Sequence, residues 1–282
     1  MSALDEFTNK KYKFSDTLEL PLNFVLSFAA PRGSGKSYFI KSLLESPIID
    51  EFTYVFIFCP SIFLNSDYDR YRHNPKFKLI GNVTADKILG LYNKQKECKM
   101  KVRKNYLEQL DRIEYCDDRT IDQYQTMEMP RTLVVLDDCM DMDGVQSFHG
   151  SIDEFAIKGR HCDIALIVTS QTITGLSSVV RKNSTMFIIF SPSNVKECET
   201  YLEEFVLGNL RWSLRSQLIE IFQDDTYNCI VLNNLKKKID EKLFLGNVYT
   251  FMEGKLELIK LEPRLVSKIQ QRLKDNLVKE DL

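Results

Sequence analysis

A glycine-rich stretch near the start of the chain has the composition of a phosphate-binding loop. It reads Pro31-Arg32-Gly33-Ser34-Gly35-Lys36-Ser37. An apolar run precedes it and an amphipathic pattern follows, which predicts a strand, a loop and a helix. Glycines let the backbone wrap around phosphate oxygens, and the N–H groups of the helix N-terminus attract the anion. Lys36 is then predicted to reach the β- and γ-phosphates, and the Ser37 hydroxyl to bind Mg²⁺.

The loop departs from its usual pattern at one position. The motif has a glycine six residues before the lysine, where this chain has Ala30. We expect the alanine to be tolerated provided that its φ angle is negative. The competing interpretation is a glycine-rich turn with a chance Gly-Lys-Ser, and the agreement of strand, loop and helix disfavours it.

A second apolar run, Leu133–Leu136, ends in the carboxylates of Asp137 and Asp138. Asp137 is predicted to hold Mg²⁺ through water, and Asp138 to be the catalytic base for the attacking water. Successive strand residues point to opposite sides, which suits two separate tasks. Many strands end in Asp because loops begin there, so this pattern is specific only in combination with the phosphate-binding loop.

Three further polar residues are candidates for catalysis. Gln171 ends another apolar run, where a neutral side chain can contact both the γ-phosphate and the catalytic water. Arg160 precedes that run, and Arg181 precedes the next one. Arginine can stabilise the charge on a transferring phosphoryl group, also from a neighbouring subunit. The alternative for Gln171 is a strand-end side chain that faces solvent, and for each arginine it is a surface residue or a salt bridge.

The elements that must position these residues are strands alternating with helices. The apolar runs lack apolar/polar alternation, which is typical of parallel strands covered by helices on both faces. We therefore predict an α/β fold with a mostly parallel sheet, helices on both faces and strand order 5-1-4-3-2. The five predicted strands are Phe24–Ala30, Tyr54–Cys59, Leu133–Leu136, Ile164–Val168 and Met186–Phe190.

We predict a single domain over residues 1–282, because no repeat or glycine/serine-rich linker divides the chain. Residues 84–128 are charged and helix-prone and are interpreted as an inserted helical hairpin. Residues 211–282 are interpreted as a C-terminal elaboration of short strands and helices. Its short strands are predicted at Tyr227–Leu232, Asn247–Met252 and Leu256–Lys260.

Composition limits the function classes. The net charge is −2 and the pI about 6.0, which excludes a nucleic-acid binder that acts by bulk charge. No apolar run approaches the ~20 residues of a membrane span, and none is predicted. A basic run is interpreted as a solvated helix face, with a DNA-facing pore as the alternative. It comprises Lys94, Lys96, Lys99, Lys101, Arg103 and Lys104.

Taken together, these motifs resemble the poxvirus-type genome-packaging ATPase of large DNA viruses, within the FtsK/HerA superfamily of P-loop DNA translocases. The resemblance covers roughly residues 20–210. Its specific part is a Gly-Arg-His that is followed first by a strand ending in Gln and then by an Arg-x-Asn. The matching segments are Leu20-Pro21-Leu22, Pro31 to Ser37, Tyr54 to Pro60, Asp67-Tyr68-Asp69, Val134 to Asp138, Gly159-Arg160-His161, Thr169-Ser170-Gln171 and Arg181-Lys182-Asn183.

The resemblance implies a RecA-like (ASCE) P-loop ATPase that uses ATP and Mg²⁺ and drives double-stranded DNA into a capsid. It implies a homo-oligomeric ring, a capsid or portal-vertex protein as a partner, and a place in the host cytoplasm (the viral factory) and in the virion. One departure is Asp138, where many cellular relatives have Glu. The alternatives are a cellular or plasmid-type FtsK/HerA translocase and a P-loop nucleotide switch without motor activity.

Overall fold

The computed structural model describes residues 11–13, 19–64, 66–113, 129–139, 145–192, 195–205, 210–225, 227–236, 242–253, 255 and 257–258. The strands are β1 (Lys11–Lys13), β2 (Glu19–Pro21), β3 (Val25–Ala29), β4 (Tyr54–Phe58), β5 (Phe77–Ile80), β6 (Thr132–Leu136), β7 (Ile164–Ser170), β8 (Met186–Phe190), β9 (Asn228–Asn233), β10 (Leu243–Asn247) and β11 (Glu257–Leu258). The α-helices are α1 (Lys36–Leu44), α2 (Ala85–Ile113), α3 (Val145–Lys158), α4 (Ser178–Asn183), α5 (Val195–Phe205) and α6 (Leu210–Asp224).

A nine-stranded sheet runs in the order β11-β10-β9-β8-β3-β7-β6-β4-β5. All five predicted strands form, and they are neighbours in the predicted order as β8-β3-β7-β6-β4. The predicted order is incomplete, because β5 adds to one edge and β9, β10 and β11 extend the other. Every residue of β3, β6, β7 and β8 is buried, which explains why their sequences lack alternation.

The added strands differ in direction. Strand β5 pairs parallel with β4, whereas β8, β9, β10 and β11 pair antiparallel in succession. The predicted strand Asn247–Met252 is wrong, because the strand is Leu243–Asn247 and ends where that prediction begins. Asn247 Oδ1 accepts the N–H of Tyr249 at 3.1 Å, and this local hydrogen bond turns the chain out of the strand.

The chain forms two compact units. The first, here the acidic-strand unit, comprises residues 1–12, 21–25 and 47–168, and the second, here the cradle unit, comprises residues 13–20, 26–46 and 169–282. Each unit contains a backbone hydrogen bond of its own. The Leu166 N–H donates to the Phe24 carbonyl at 2.8 Å in the first, and the Ala30 N–H donates to the Ser170 carbonyl at 2.9 Å in the second. The single-domain prediction stays a prediction.

Helix α2 covers residues 85–113 of the predicted hairpin, and residues 114–128 lie outside the described part, so the hairpin stays a prediction. One side of α2 is buried through Ile88, Tyr92, Gln95 and Val102. Among the basic run, Lys99 forms an ion pair with Asp163, while the other five side chains are exposed. No helix in the described residues combines the length and apolar character needed to cross a bilayer.

Candidate functional site

The glycine-rich loop predicted to bind phosphate connects β3 to α1, as its sequence predicts. Gly33 and Gly35 have φ angles of 82° and 91°, the left-handed region that glycine adopts without strain. The Ser34 side chain is only 5% exposed, and its Oγ has no hydrogen-bond partner. Ala30 is buried and its φ is not positive, so the condition for tolerating alanine there is met. We call residues 31–37 the cradle.

Helix α1 begins at Lys36, within the cradle, and its apolar face packs into the core. Phe39, Ile40, Leu43 and Leu44 are buried, as their spacing predicts. Gly35 is the N-cap, and no side chain caps the N–H groups of the first turn. That turn contains no acidic residue and begins with Lys36, which is 9% exposed. The helix N-terminus therefore presents a positive, donor-rich end.

The acidic strand end is fixed by hydrogen bonds of its own. The Asp137 N–H donates to the Phe58 carbonyl at 2.9 Å, which continues the ladder between β6 and β4. The Tyr68 hydroxyl donates to Asp137 Oδ2 at 2.8 Å, with both residues buried. Burial, and then the negative charge of Asp137, raise the pKa of Tyr68 well above its ordinary value. The phenol therefore stays neutral and remains a donor to the carboxylate.

Asp138 lies in a different environment from its neighbour. Its φ is 51°, in the left-handed region, and its side chain is exposed while that of Asp137 is 4% exposed. The two carboxylates do have distinct surroundings, but the predicted cause is wrong. Strand β6 ends at Leu136, and a left-handed turn rather than strand alternation directs Asp138 away.

The remaining predicted residues lie outside regular strands. Gln171 is exposed and immediately follows β7. Arg160 lies in a 3₁₀ turn, Gly159–Cys162, is exposed, and places its Nε 3.3 Å from His161 Nε2. Arg181 lies in α4, where its Nη1 donates to the carbonyls of Ile173, at 3.2 Å, and Leu176. The Arg181 guanidinium thus donates to nearby backbone carbonyls, whereas the Arg160 side chain is exposed.

Within the acidic-strand unit, the structure joins Asp137 to Tyr68, a residue to which sequence reasoning gave no role. The two are 69 positions apart, so no local pattern connects them. The signal available was the segment Asp67-Tyr68-Asp69, which belongs to the family resemblance. Within the cradle unit, Gly33, Ser34, Gly35 and Lys36 form one continuous loop and helix start.

Comparison with known proteins identifies a family whose match includes every predicted site residue. The pattern of the family described as "Poxvirus A32 protein" matches residues 9–238. No curated protein matches the chain significantly.

Solved structures share the fold at low sequence identity. One is the genome packaging NTPase B204 from Sulfolobus turreted icosahedral virus 2 in complex with ATP-gammaS, with a TM-score of 0.51, 13% identity, and 81% of this chain and 98% of that chain covered. The pCW3 conjugation coupling protein TcpA has a TM-score of 0.53, 14% identity, and coverages of 92% and 69%. EssC (ATPases 2 and 3) from Geobacillus thermodenitrificans has a TM-score of 0.55, 15% identity, and coverages of 93% and 45%. The fold of this chain is therefore that of these P-loop ATPases.

Proposed function

The chain belongs to the poxvirus A32 protein family, and from that premise we propose that it is a Mg²⁺-dependent ATPase that drives double-stranded DNA into a viral capsid. The observation that carries the ATPase part is the cradle. Its two left-handed glycines bracket a buried Ser34 hydroxyl without a partner, next to the buried Lys36 at a helix N-terminus. A buried unpaired hydroxyl is unfavourable, and a phosphate oxygen would satisfy it.

The residues present fit ATP with Mg²⁺. The cradle offers N–H donors, a hydroxyl and one ammonium group to the phosphates, and no carboxylate lies in the first turn of α1. Ser37 and Asp137 would supply a hydroxyl and a carboxylate oxygen, the hard ligands that Mg²⁺ accepts directly or through water. Bound Mg²⁺-ATP provides the γ-phosphoryl group and neutralises part of its charge.

Each remaining side chain then has a task in hydrolysis. Asp138 accepts a proton from the attacking water, and its exposed carboxylate is able to do so while Asp137 is held by Tyr68. Gln171 contacts the water and the γ-phosphate and senses hydrolysis. Arg160 stabilises the developing charge from a neighbouring subunit, and Arg181 is the second candidate for that task.

The motor part of the proposal concerns assembly and partners. B204 is a genome-packaging NTPase and TcpA a conjugation coupling protein, and their shared fold supports a DNA-moving ATPase here. With a net charge of −2, a single subunit is expected to bind duplex weakly, and a ring to sum many phosphate contacts. A capsid or portal-vertex protein is the proposed partner. The proposed location is the viral factory in the host cytoplasm, with retention in the virion.

The first experiment measures ATP hydrolysis with and without duplex DNA. Wild-type protein should hydrolyse ATP faster with DNA of any sequence, and the stimulation should fall as salt rises. Lys36→Ala should abolish hydrolysis, whereas Lys41→Ala, which removes a lysine from the same helix outside the cradle, should retain it. Hydrolysis that DNA leaves unchanged would favour the nucleotide switch over the motor.

A second experiment separates packaging from other DNA translocation. In virus carrying Lys36→Ala, particles should assemble but contain little DNA, measured as DNA per particle after nuclease treatment. Particles of normal DNA content would reject the packaging role while leaving the ATPase assignment intact.

A further inference from the structure

Three tyrosines form a cluster in the cradle unit that the proposed chemistry does not use. Tyr38 lies in the first turn of α1, two residues after Lys36. Its ring centroid is 5.0 Å from that of Tyr249, and Tyr249 is 5.1 Å from Tyr227, both in edge-to-face geometry. Tyr38 and Tyr249 remain 47% and 50% exposed. An ordered aromatic cluster is thus half open to solvent.

The tyrosine cluster packs against the cradle. A Cβ placed on Gly35 would lie 3.1 Å from Val248 Cγ2 and 3.4 Å from Tyr227 Cδ1. Val248, which precedes Tyr249, is 1% exposed, and Phe251 packs on Phe39 of α1 with ring centroids 4.4 Å apart. The residues that directly precede β9 and follow β10 therefore pack against Gly35, the N-cap of α1.

Hydrogen bonds of the Asn247 side chain hold the turn that carries Tyr249. The Asn247 side chain donates to Asp225 Oδ2 at 3.0 Å and accepts the N–H of Tyr249, which fixes the turn carrying that ring. Desolvation, and then a hydrogen bond with Tyr227, raise the pKa of Tyr249 above its ordinary value. Its ring is therefore neutral at physiological pH and places no negative charge beside bound phosphates.

We propose that Tyr38, Tyr227 and Tyr249 form a platform that stacks the nucleobase of the nucleotide whose phosphates the cradle holds. This rests on the proposed function. The N–H groups of the first turn of α1 take the phosphates, so the nucleoside leaves the cradle beside Tyr38. Stacking on aromatic rings accepts any base because every base has a π-face. The ligand class is therefore nucleoside triphosphates. The platform requires that a base is present but does not distinguish one base from another.

The test compares magnesium AMPPNP with magnesium tripolyphosphate, which has phosphates but no base, by isothermal titration of the full chain. Tyr249→Ala should raise the Kd of AMPPNP about 5-fold to 150-fold, the usual effect of removing one stacking ring. It should leave the Kd of tripolyphosphate unchanged. Tyr249→Phe keeps the ring and should bind AMPPNP like wild type, as should Tyr54→Ala, which removes a tyrosine of similar exposure from β4.

The outcomes separate this proposal from the proposed function. Equal weakening of both ligands by Tyr249→Ala, or of neither, would overturn the platform. If Lys36→Ala leaves the binding of both ligands intact, the cradle itself is wrongly assigned. Retained AMPPNP affinity together with weakened binding of single-stranded DNA would assign the rings to DNA bases and would also overturn the platform. Circular dichroism checks that each variant is folded.

Discussion

The cradle and the acidic strand end satisfy their polar groups in opposite ways. In the cradle, Ser34 buries a hydroxyl that has no partner, and α1 begins without a side-chain cap. At the acidic strand end, Asp137 is already engaged by the Tyr68 hydroxyl and by a backbone bond to Phe58. The first region is therefore built for completion by a ligand, whereas the second is organised before any ligand arrives.

The free energies of the hydrogen bonds explain why the cradle and the acidic strand end differ. A buried unpaired hydroxyl costs about 1–3 kcal/mol, which a phosphate oxygen would recover on binding. A hydrogen bond to a charged group contributes about 1.5–3 kcal/mol and keeps the buried carboxylate in one orientation. The two candidate arginines show the reverse pattern, because Arg181 in the cradle unit is engaged by carbonyls while Arg160 in the acidic-strand unit is exposed.

The largest expected effect tests that difference between the arginines. Arg160→Ala should lower ATP turnover about 10³-fold to 10⁵-fold, the usual contribution of an arginine acting on the transferring phosphoryl group. Mixing it with Lys36→Ala should restore part of the activity, because some interfaces then combine an intact cradle with an intact Arg160. Wild-type activity should also rise more steeply than linearly with protein concentration. Steady-state assays of the mixture measure both effects.

Arg181→Ala is the matched variant. Its loss leaves the Ile173 and Leu176 carbonyls without this donor, so we expect a lower melting temperature and a smaller loss of turnover. If Arg181→Ala instead shows the larger loss, and mixing restores it, the two arginines exchange roles. Absence of recovery in either mixture, with co-assembly demonstrated, would mean that neither acts across an interface.

Asp138→Asn should have the next largest effect. The amide cannot accept the proton of the attacking water, so turnover should fall about 10²-fold to 10⁴-fold. Nucleotide affinity should change little, since Ser37 and Asp137 remain available to Mg²⁺. Single-turnover hydrolysis and AMPPNP titration measure the two quantities separately. Wild-type turnover in Asp138→Asn would show that another group is the base.

Tyr68→Phe should have the smallest effect and tests the pre-organisation of Asp137. Without the hydroxyl the carboxylate loses a donor, and the apparent Mg²⁺ affinity should fall about 10-fold to 100-fold, as for other residues that orient metal ligands. Turnover at saturating Mg²⁺ should be largely kept, which a general loss of folding would not reproduce. Tyr54→Phe is the control, and unchanged Mg²⁺ dependence in Tyr68→Phe would refute the positioning role.

Much of the fold was predictable from single segments. Four of the five central strands, β3, β6, β7 and β8, are detectable because each is buried along its whole length, which gives a continuous apolar run. Strand β4 is only partly buried, but its sequence Tyr54–Phe58 is also an unbroken run of aromatic and aliphatic residues. Strand β5 has only one fully buried residue, and β10 ends at a glycine and an asparagine, so neither stands out from its surroundings. Strand β5 and the bounds of β10 were therefore missed, whereas β9 and β11 were predicted as Tyr227–Leu232 and Leu256–Lys260 but were not placed in the predicted sheet order.

The amino-acid sequence by itself determined the cradle, because all its chemistry lies in consecutive residues whose backbone preferences are local. It also determined the carboxylate pair at the end of β6. Only the tertiary structure decided that Tyr68 holds Asp137, that Asp138 turns into the left-handed region, and that Val248 and Tyr227 pack against Gly35. The contacts of Tyr68 with Asp137, and of Val248 and Tyr227 with Gly35, join residues that are distant along the chain, and tertiary packing rather than any local periodicity brings them together.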